Sequence, residues 1–297
     1  MRRLLIIGCG DVALRALPWL RARYRVYALT HSPERAAALR AQGLLPIIGD
    51  LDDPASLQGL AGIAHDVLHC APPPGRGSRD TRTAHLIAAL AKAKSLPQHF
   101  VYISTSGVYG DCAGDLVDET RRLRPQTARA QRRVDAERRL REWGCRSGVR
   151  ICVLRAPGIY SAERLPLQRL REGTPALIAD EDAYTNHIHA DDLARMAVAA
   201  LSFGSPGRLY NASDDSALKM GDYFDLVADR YGLPRPPRVS RDEADQRIAP
   251  ALLSFMGESR RLSNRRVKRE LRFKLRYPTV REGIGAPLSA AMSGAQR

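Results

Sequence analysis

The chain has 297 residues, 44% of them hydrophobic and 27% charged. That is enough apolar material for one large α/β domain with a smaller companion, and it argues against wholesale disorder. The formal net charge is +15, yet only five of the 47 basic residues are lysine and the arginines run from Arg2 to Arg297; so dispersed a charge, with no helix-turn-helix, zinc-finger or RNA-binding signature, leaves no nucleic-acid footprint. No apolar run approaches a membrane span, and "MRRLLIIGCG" is too short in its apolar part for a signal peptide. The five cysteines (Cys9, Cys70, Cys112, Cys145, Cys152) are odd in number and never spaced C-x-x-C. This argues against a disulfide framework or structural zinc and for a reducing cytoplasm.

In chain order, "RLLIIG" (Arg3–Gly8) reads as a buried strand, and "DVALRALPWLRARY" as a helix that Pro18 can kink. "RVYALT" (Arg25–Thr30) is the next strand. "SPERAAALRAQG" is a helix with Ser32 as N-cap, Pro33 at the first helical position and Gly43 at the stop. "LLPIIGD" (Leu44–Asp50), "DVLHCAP" (Asp66–Pro72) and "HFVYIST" (His99–Thr105) supply three more strands, separated by helices around Asp53–Leu60 and Thr81–Lys94. "RPQTARAQRRVDAERRL" (Arg124–Leu140) is helical, and "VRICVLR" (Val149–Arg155) is a sixth strand. Strand and helix in alternation mean α/β: a doubly wound parallel sheet with right-handed crossovers. Beyond Arg155 the loops become richer in Pro and Gly, so residues 1–155 read as one domain and 156–297 as a smaller region beside it. The apolar helix Ala190–Phe203, within 186–204, packs back on the sheet. The tail Ser289–Arg297 lacks periodicity and frays.

"LLIIGCGDVALR" places G-x-G-x-x-A between the first strand and the first helix. Gly8 permits a tight turn, Gly10 lets backbone approach a pyrophosphate, and Ala13 allows close helix–strand packing, with Val12 in the same turn. The pattern reads as a dinucleotide site; the alternative is a bare structural turn. Asp11 caps the helix favourably but repels a pyrophosphate, so it must turn away or bind a donor. The second strand ends in "THSPER" without the acidic residue that favours NAD. Thr30, His31, Ser32 and Arg35 are then available to a 2′-phosphate, which favours NADP over NAD. The other reading is that Ser32 merely caps the helix and Arg35 is solvated. Asp50, in "GDLDDP", suits either the adenine ring or a turn.

With those motifs and "HCAPPPG", the stretch "FVYISTSGVYGD" (Phe100–Asp111) resembles the extended branch of the short-chain dehydrogenase/reductase superfamily, the NAD-dependent epimerase/dehydratase family. "RAPGIYSAERLP" (Arg155–Pro166), "NHIHADDLARM" (Asn186–Met196) and "GRLYNASDD" (Gly207–Asp215) are similar to its later segments, in the same order. The resemblance implies a Rossmann-type sheet binding NAD or NADP, a C-terminal region closing over a small-molecule substrate, and often a homodimer. It implies cofactor contacts at Leu51, Ala71, Pro72, Pro157, Gly158 and Ile159 besides the turn, and substrate contacts at Ser106, Tyr109, Arg164 and Asn186. It also implies a Ser/Thr–Tyr–Lys catalytic set. Thr105 takes the Ser/Thr position. Counting from Glu137, the family's glutamate four residues past its lysine, places Arg133 at the lysine and Arg129 at the tyrosine, as in atypical members of the superfamily.

Arginine stays protonated and cannot replace tyrosine as a proton donor, but it can hold a carboxylate or phosphate, or steady an oxyanion. Arg129, Arg133, Ala136, Leu140 and Trp143 share one helical face. That face turns inward, whereas Arg132, Arg138, Arg139 and Arg141 lie off it on a solvated face. Inward arginines need anionic partners: a cofactor, an acidic substrate, or Glu137 in a purely structural pair. Tyr160 is a candidate substitute proton donor or a packed aromatic. His187, His189, Asp191 and Asp192 read as a helix start rather than a metal site. "SRRLSNRRVKRELRFKLR" (Ser259–Arg276) reads as an amphipathic helix capped by Ser263. Two functions follow: an NAD(P)-dependent oxidoreductase or epimerase/dehydratase-like enzyme with a modified site, or a nucleotide-binding sensor or scaffold that has lost the chemistry.

Overall fold

Four consecutive apolar residues, Leu4 to Ile7, make the first strand, β1 (Arg2–Ile7), and all four are fully buried in the computed structural model. The alternation along a strand sends them to opposite sides: Leu4 and Ile6 enter one core cluster, Leu5 and Ile7 another. The chain therefore has a layer of helices on each face of a sheet. The structure describes residues 1–249, 253 and 256–285, so the tail Ser289–Arg297 lies outside the described residues.

After β1 come α1 (Asp11–Arg21), which continues through Pro18, then β2 (Tyr24–Thr30) and α2 (Pro33–Ala41). The Ser32 hydroxyl caps α2 by accepting from the Arg35 amide, as its sequence position predicts. β3 (Leu45–Ile48), a 3₁₀ turn (Pro54–Leu60) capped by Asp53, β4 (Asp66–His69), α3 (Thr81–Leu90) and β5 (His99–Thr105) follow. Next are β6 (Leu116–Val117), α4 (Ala128–Ser147) capped by Thr127, and β7 (Arg150–Ala156). Beyond them lie β8 (Gly158–Tyr160), α5 (Leu167–Arg171), β9 (Ala176–Leu177), β10 (Tyr184–Thr185), β11 (His187–His189), α6 (Ala190–Phe203), β12 (Arg208–Asn211), β13 (Leu218–Lys219) and α7 (Met220–Tyr231).

Seven strands form one sheet in the order β12-β7-β5-β4-β1-β2-β3, every pair parallel. This is the Rossmann-type doubly wound arrangement. Its edge strand β12 comes from the C-terminal part of the chain. α1 packs on α6 over one face, and α3 packs on α4 over the other. The strand order reverses between β1 and β4, which opens a crevice at their C-terminal ends.

One expected element differs. The segment Ser259–Arg276 is not a single helix: Arg261–Leu262 is a short strand paired with β6, and only Arg265–Glu270 is helical. The Ser263 amide donates to the Val117 carbonyl and so continues that pairing, and the helix begins one residue later, with Asn264 at the N-cap position. Val267 and Leu271 are buried nonetheless.

Beneath the crevice lies a buried ionic hub. Arg155 and Glu137 have side chains 1% and 3% exposed and meet at 2.6 Å. Ser104 Oγ donates to Glu137 (2.6 Å), Arg155 donates to the Tyr109 hydroxyl (2.9 Å), and that hydroxyl donates to Asn211 (2.7 Å). Removing one charge leaves the other buried without a partner. Arg155→Met should therefore lower the unfolding free energy by about 3–5 kcal/mol, and Arg155→Met/Glu137→Leu should recover part of it, both read from urea unfolding.

Candidate functional site

The crevice widens into a cavity of about 680 Å³, lined by the turn after β1, the ends of β5 and β7, the start of α4, and C-terminal segments reaching to Arg260. Gly8 has φ +82°, and a Cβ there would collide with the Ala71 backbone where the ends of β1 and β4 converge. Gly10 is different: a Cβ would meet nothing within 4 Å. That open backbone at the N-terminus of α1 is what an anionic phosphate group requires. Asp11, the expected obstacle, is bound by donors: Arg15 Nε at 2.7 Å and Arg164 Nη1 at 3.4 Å. Arg15 also donates to Asp191 (2.6 Å) and Glu163 (3.0 Å), which ties α1 to α6 and to the loop after β8.

Of the residues the sequence assigns to a site, Val12, Ala13, Thr105, Ser106, Arg129, Arg133, Pro157, Gly158, Ile159, Tyr160, Arg164 and Asn186 line the cavity. Thr30, His31, Ser32, Arg35, Asp50, Leu51, Ala71 and Pro72 do not; they sit at or beyond the ends of β2, β3 and β4. There the Ser32 hydroxyl is committed to the cap and to Glu34 (2.6 Å), while Arg35 Nη2 donates to the Cys9 carbonyl inside the glycine turn (3.0 Å). Asp50 accepts from the Asp52 amide (2.9 Å), which is a turn role. Tyr109 is fully buried in the ionic hub, outside the cavity.

Thr105 Oγ1 accepts from the Gly107 amide at 3.2 Å. Arg133 Nη1 donates to the Tyr102 hydroxyl (2.8 Å) and to the carbonyls of Ile103 (3.0 Å) and Ala71 (3.4 Å). Its partner is thus not Glu137, which is taken by Arg155. Arg129 is the more exposed of the two. Arg132 corrects the expected solvated face: it is buried and donates to the Gly77 carbonyl at 2.6 Å, because the loop before α3 covers that side of α4. Tyr160 is buried with its hydroxyl donating to the Thr279 carbonyl (3.3 Å) and packed against Gly283. Asn186 spends its side chain on the Arg260 carbonyl and the Leu262 amide.

Several cavity residues are not among those the sequence assigns to a site: Arg169, His187, Tyr223, Phe224, Glu258 and Arg260. Nothing in the spacing of "PLQRLREGTP" distinguishes Arg169 from a solvated arginine. His187 was absorbed into a helix start that belongs to His189, whose Nδ1 accepts from the Asp191 amide (3.2 Å).

Asp214, behind this wall, donates its amide to the His187 carbonyl (2.8 Å) and accepts the Ser216 amide (2.9 Å). Burial pushes its carboxyl pKa up to about 7, against ~3.9 in an unfolded chain. Between these values the folded protein holds a proton that the unfolded chain releases, so this group's contribution to stability falls as pH rises and levels off above about 7. Asp214→Asn removes that slope. Urea unfolding should find the variant more stable than the parent above neutral pH, with the gap closing toward pH ~4.

Residues 16–213 match the NAD dependent epimerase/dehydratase family. No curated protein matches the sequence. Among solved structures, a conserved protein of unknown function from Silicibacter pomeroyi is 30% identical, with a TM-score of 0.79 over 96% of this chain and 97% of that one. UDP-glucose 4-epimerase from Thermotoga maritima, solved with UDP-glucose, is 17% identical with a TM-score of 0.76 over 95% of this chain and 96% of that one. UDP-glucuronic acid 4-epimerase from Bacillus cereus, in complex with NAD, is 18% identical with a TM-score of 0.74 over 95% and 96%. The last two likenesses are of fold. With the glycine turn at the switch point of a parallel sheet and a match across two thirds of its length, the chain belongs to the NAD dependent epimerase/dehydratase family.

Proposed function

We propose that this chain is an NAD(P)-dependent oxidoreductase or epimerase/dehydratase-like enzyme with a modified site, acting on a small anionic molecule. The observation that carries the reading is the opening at Gly10: an uncovered helix N-terminus that leads directly to Thr105 and Arg133 in one cavity. When bound, a nicotinamide dinucleotide supplies hydride transfer. The backbone of the turn holds the pyrophosphate, and Asp11 stays bound to Arg15 and Arg164. Thr105 orients a substrate oxygen, and Arg133, held by three protein oxygens, presents fixed positive charge to the cofactor ribose or to a developing oxyanion. Neither arginine moves a proton, so water carries that step. NADP is favoured over NAD because no acid ends β2 and Arg35 is anchored beside the turn. A homodimer and a reducing, cytoplasmic setting complete the proposal. A sensor without turnover is the second reading, favoured by the arginines at both key positions.

Fluorescence titration with NADPH and NADH tests the first step, with NADPH expected to bind more tightly. Gly10→Ala should leave the urea midpoint unchanged and weaken binding at least about tenfold, roughly 1.4 kcal/mol, because its methyl points into open space that the phosphates need. Failure of the parent protein to bind either dinucleotide overturns the proposal. Turnover with carbonyl substrates by the parent, lost in Thr105→Ala with binding retained, separates the enzyme from the sensor.

A further inference from the structure

The part of the cavity wall formed by α5 and β11 carries two polar groups that the protein leaves uncompensated. Arg169, on α5, is half-buried and stacks on Phe224, its guanidinium carbon 4.2 Å from the ring centroid. Its Nη2 donates to the Pro175 carbonyl (2.9 Å) and to Met256 Sδ (3.7 Å), and its Nε is buried without a hydrogen-bond partner among the described residues. Burial pulls its pKa down to about 10, and no carboxylate among the described residues offsets this. A desolvated cation without a counter-charge is costly unless a ligand supplies one.

His187 is the second group. It is 4% exposed, its ring lies 4.2 Å from that of Tyr223, and its Nδ1 is buried without a partner among the described residues. Burial pulls its pKa down to about 3, so the ring is a neutral imidazole with one donor and one acceptor. Its Cδ2–Nε2 edge faces Gly158, where a Cβ would stand only 3.3 Å from Cδ2. Glycine at this exposed position leaves the imidazole edge uncovered. Tyr223 and Phe224 are 5.6 Å apart, so Arg169, Phe224, Tyr223 and His187 form one continuous stack along the wall. Buried polar atoms without partners are rare, and these two belong to side chains that line the cavity, where the rest of the guanidinium and the imidazole can meet a ligand.

Size narrows the ligand. Sites for a single drug-sized ligand span roughly 300–1,000 Å³. This cavity of about 680 Å³ also contains the glycine turn, so the nicotinamide half of a dinucleotide must share it. We infer that the Arg169–His187 wall recognises a small anionic hydroxy or keto compound, not a second nucleotide: Arg169 holds its carboxylate or phosphate, and His187 hydrogen-bonds its hydroxyl or carbonyl oxygen. The size argument rests on the dinucleotide reading above; the two uncompensated groups do not.

Calorimetric titration of the full chain with glycerol 3-phosphate, D-gluconate, D-glucose and UDP-glucose tests the inference, and the first two probes tell phosphate from carboxylate. At least one of those two should bind and glucose should not. Arg169→Met should abolish that binding, Arg169→Lys should restore part of it, and His187→Phe, which keeps the stack on Tyr223, should weaken it about tenfold. Urea midpoints should not fall below the parental value in any of the three variants, and should rise where an uncompensated polar group is removed; NADPH binding should stay at the parental value, which shows that the fold and the cofactor half are intact. Charged probes binding no better than glucose would overturn the inference, as would parental binding in Arg169→Met or His187→Phe. UDP-glucose binding more tightly than both small anions would also overturn it. Should the parent bind gluconate or glycerol 3-phosphate but neither dinucleotide, the cofactor reading fails and the anion site stands.

Discussion

The buried ion pair between Arg155 and Glu137 is the constraint on which the site depends. Two charges removed from water are tolerable only when their remaining hydrogen-bonding capacity is met, and here Ser104, Tyr109 and Asn211 meet it. The pair locks the end of β7 to the middle of α4 and, through Ser104 and Asn211, reaches β5 and β12. It thereby sets the rotation of α4 about its axis. Arg133 and Arg129 lie one and two turns before Glu137 on the same helical face, so fixing the glutamate directs both toward the cavity.

Charge at two places in the cavity lining is handled in opposite ways. At the glycine turn the protein binds its own acid: Arg15 gathers Asp11, Asp191 and Glu163, and Arg164 also reaches Asp11, so the Asp11 carboxylate is held by donors. Arg133 is likewise held, by carbonyls and a hydroxyl that orient it without cancelling its charge. On the wall formed by α5, Arg169 is desolvated and stacked but has no acid beside it among the described residues. One place is prepared in advance and the other is left for a ligand to complete.

How much of this could be read in advance varied with the kind of signal. The strand His99–Thr105 and the helix Ala190–Phe203 match their expected bounds because each is delimited by its own apolar pattern and end residues. Ser263 is not the cap because the pairing with β6 runs on through its amide and the helix begins one residue later, with Asn264 at the N-cap position; that pairing is invisible in the local pattern. Arg132 lay off the apolar stripe yet is buried, because the loop before α3 folds over that face and Gly77 offers it a carbonyl. Helical period tells which residues share a face; it does not tell what covers the face.

From sequence alone follow the alternation that makes a parallel sheet, the glycine turn that opens its first helix, and the arginines standing where the resemblance places tyrosine and lysine. These are local facts of spacing and residue chemistry. Tertiary structure alone decided that Glu137 belongs to Arg155, that Tyr160 points its hydroxyl at Thr279, and that Arg169 and His187 share a wall with Tyr223 and Phe224. Each depends on groups far apart in the chain competing for the same partner in a dry interior. There, the cost of an unmatched charge or hydrogen bond outweighs any local preference.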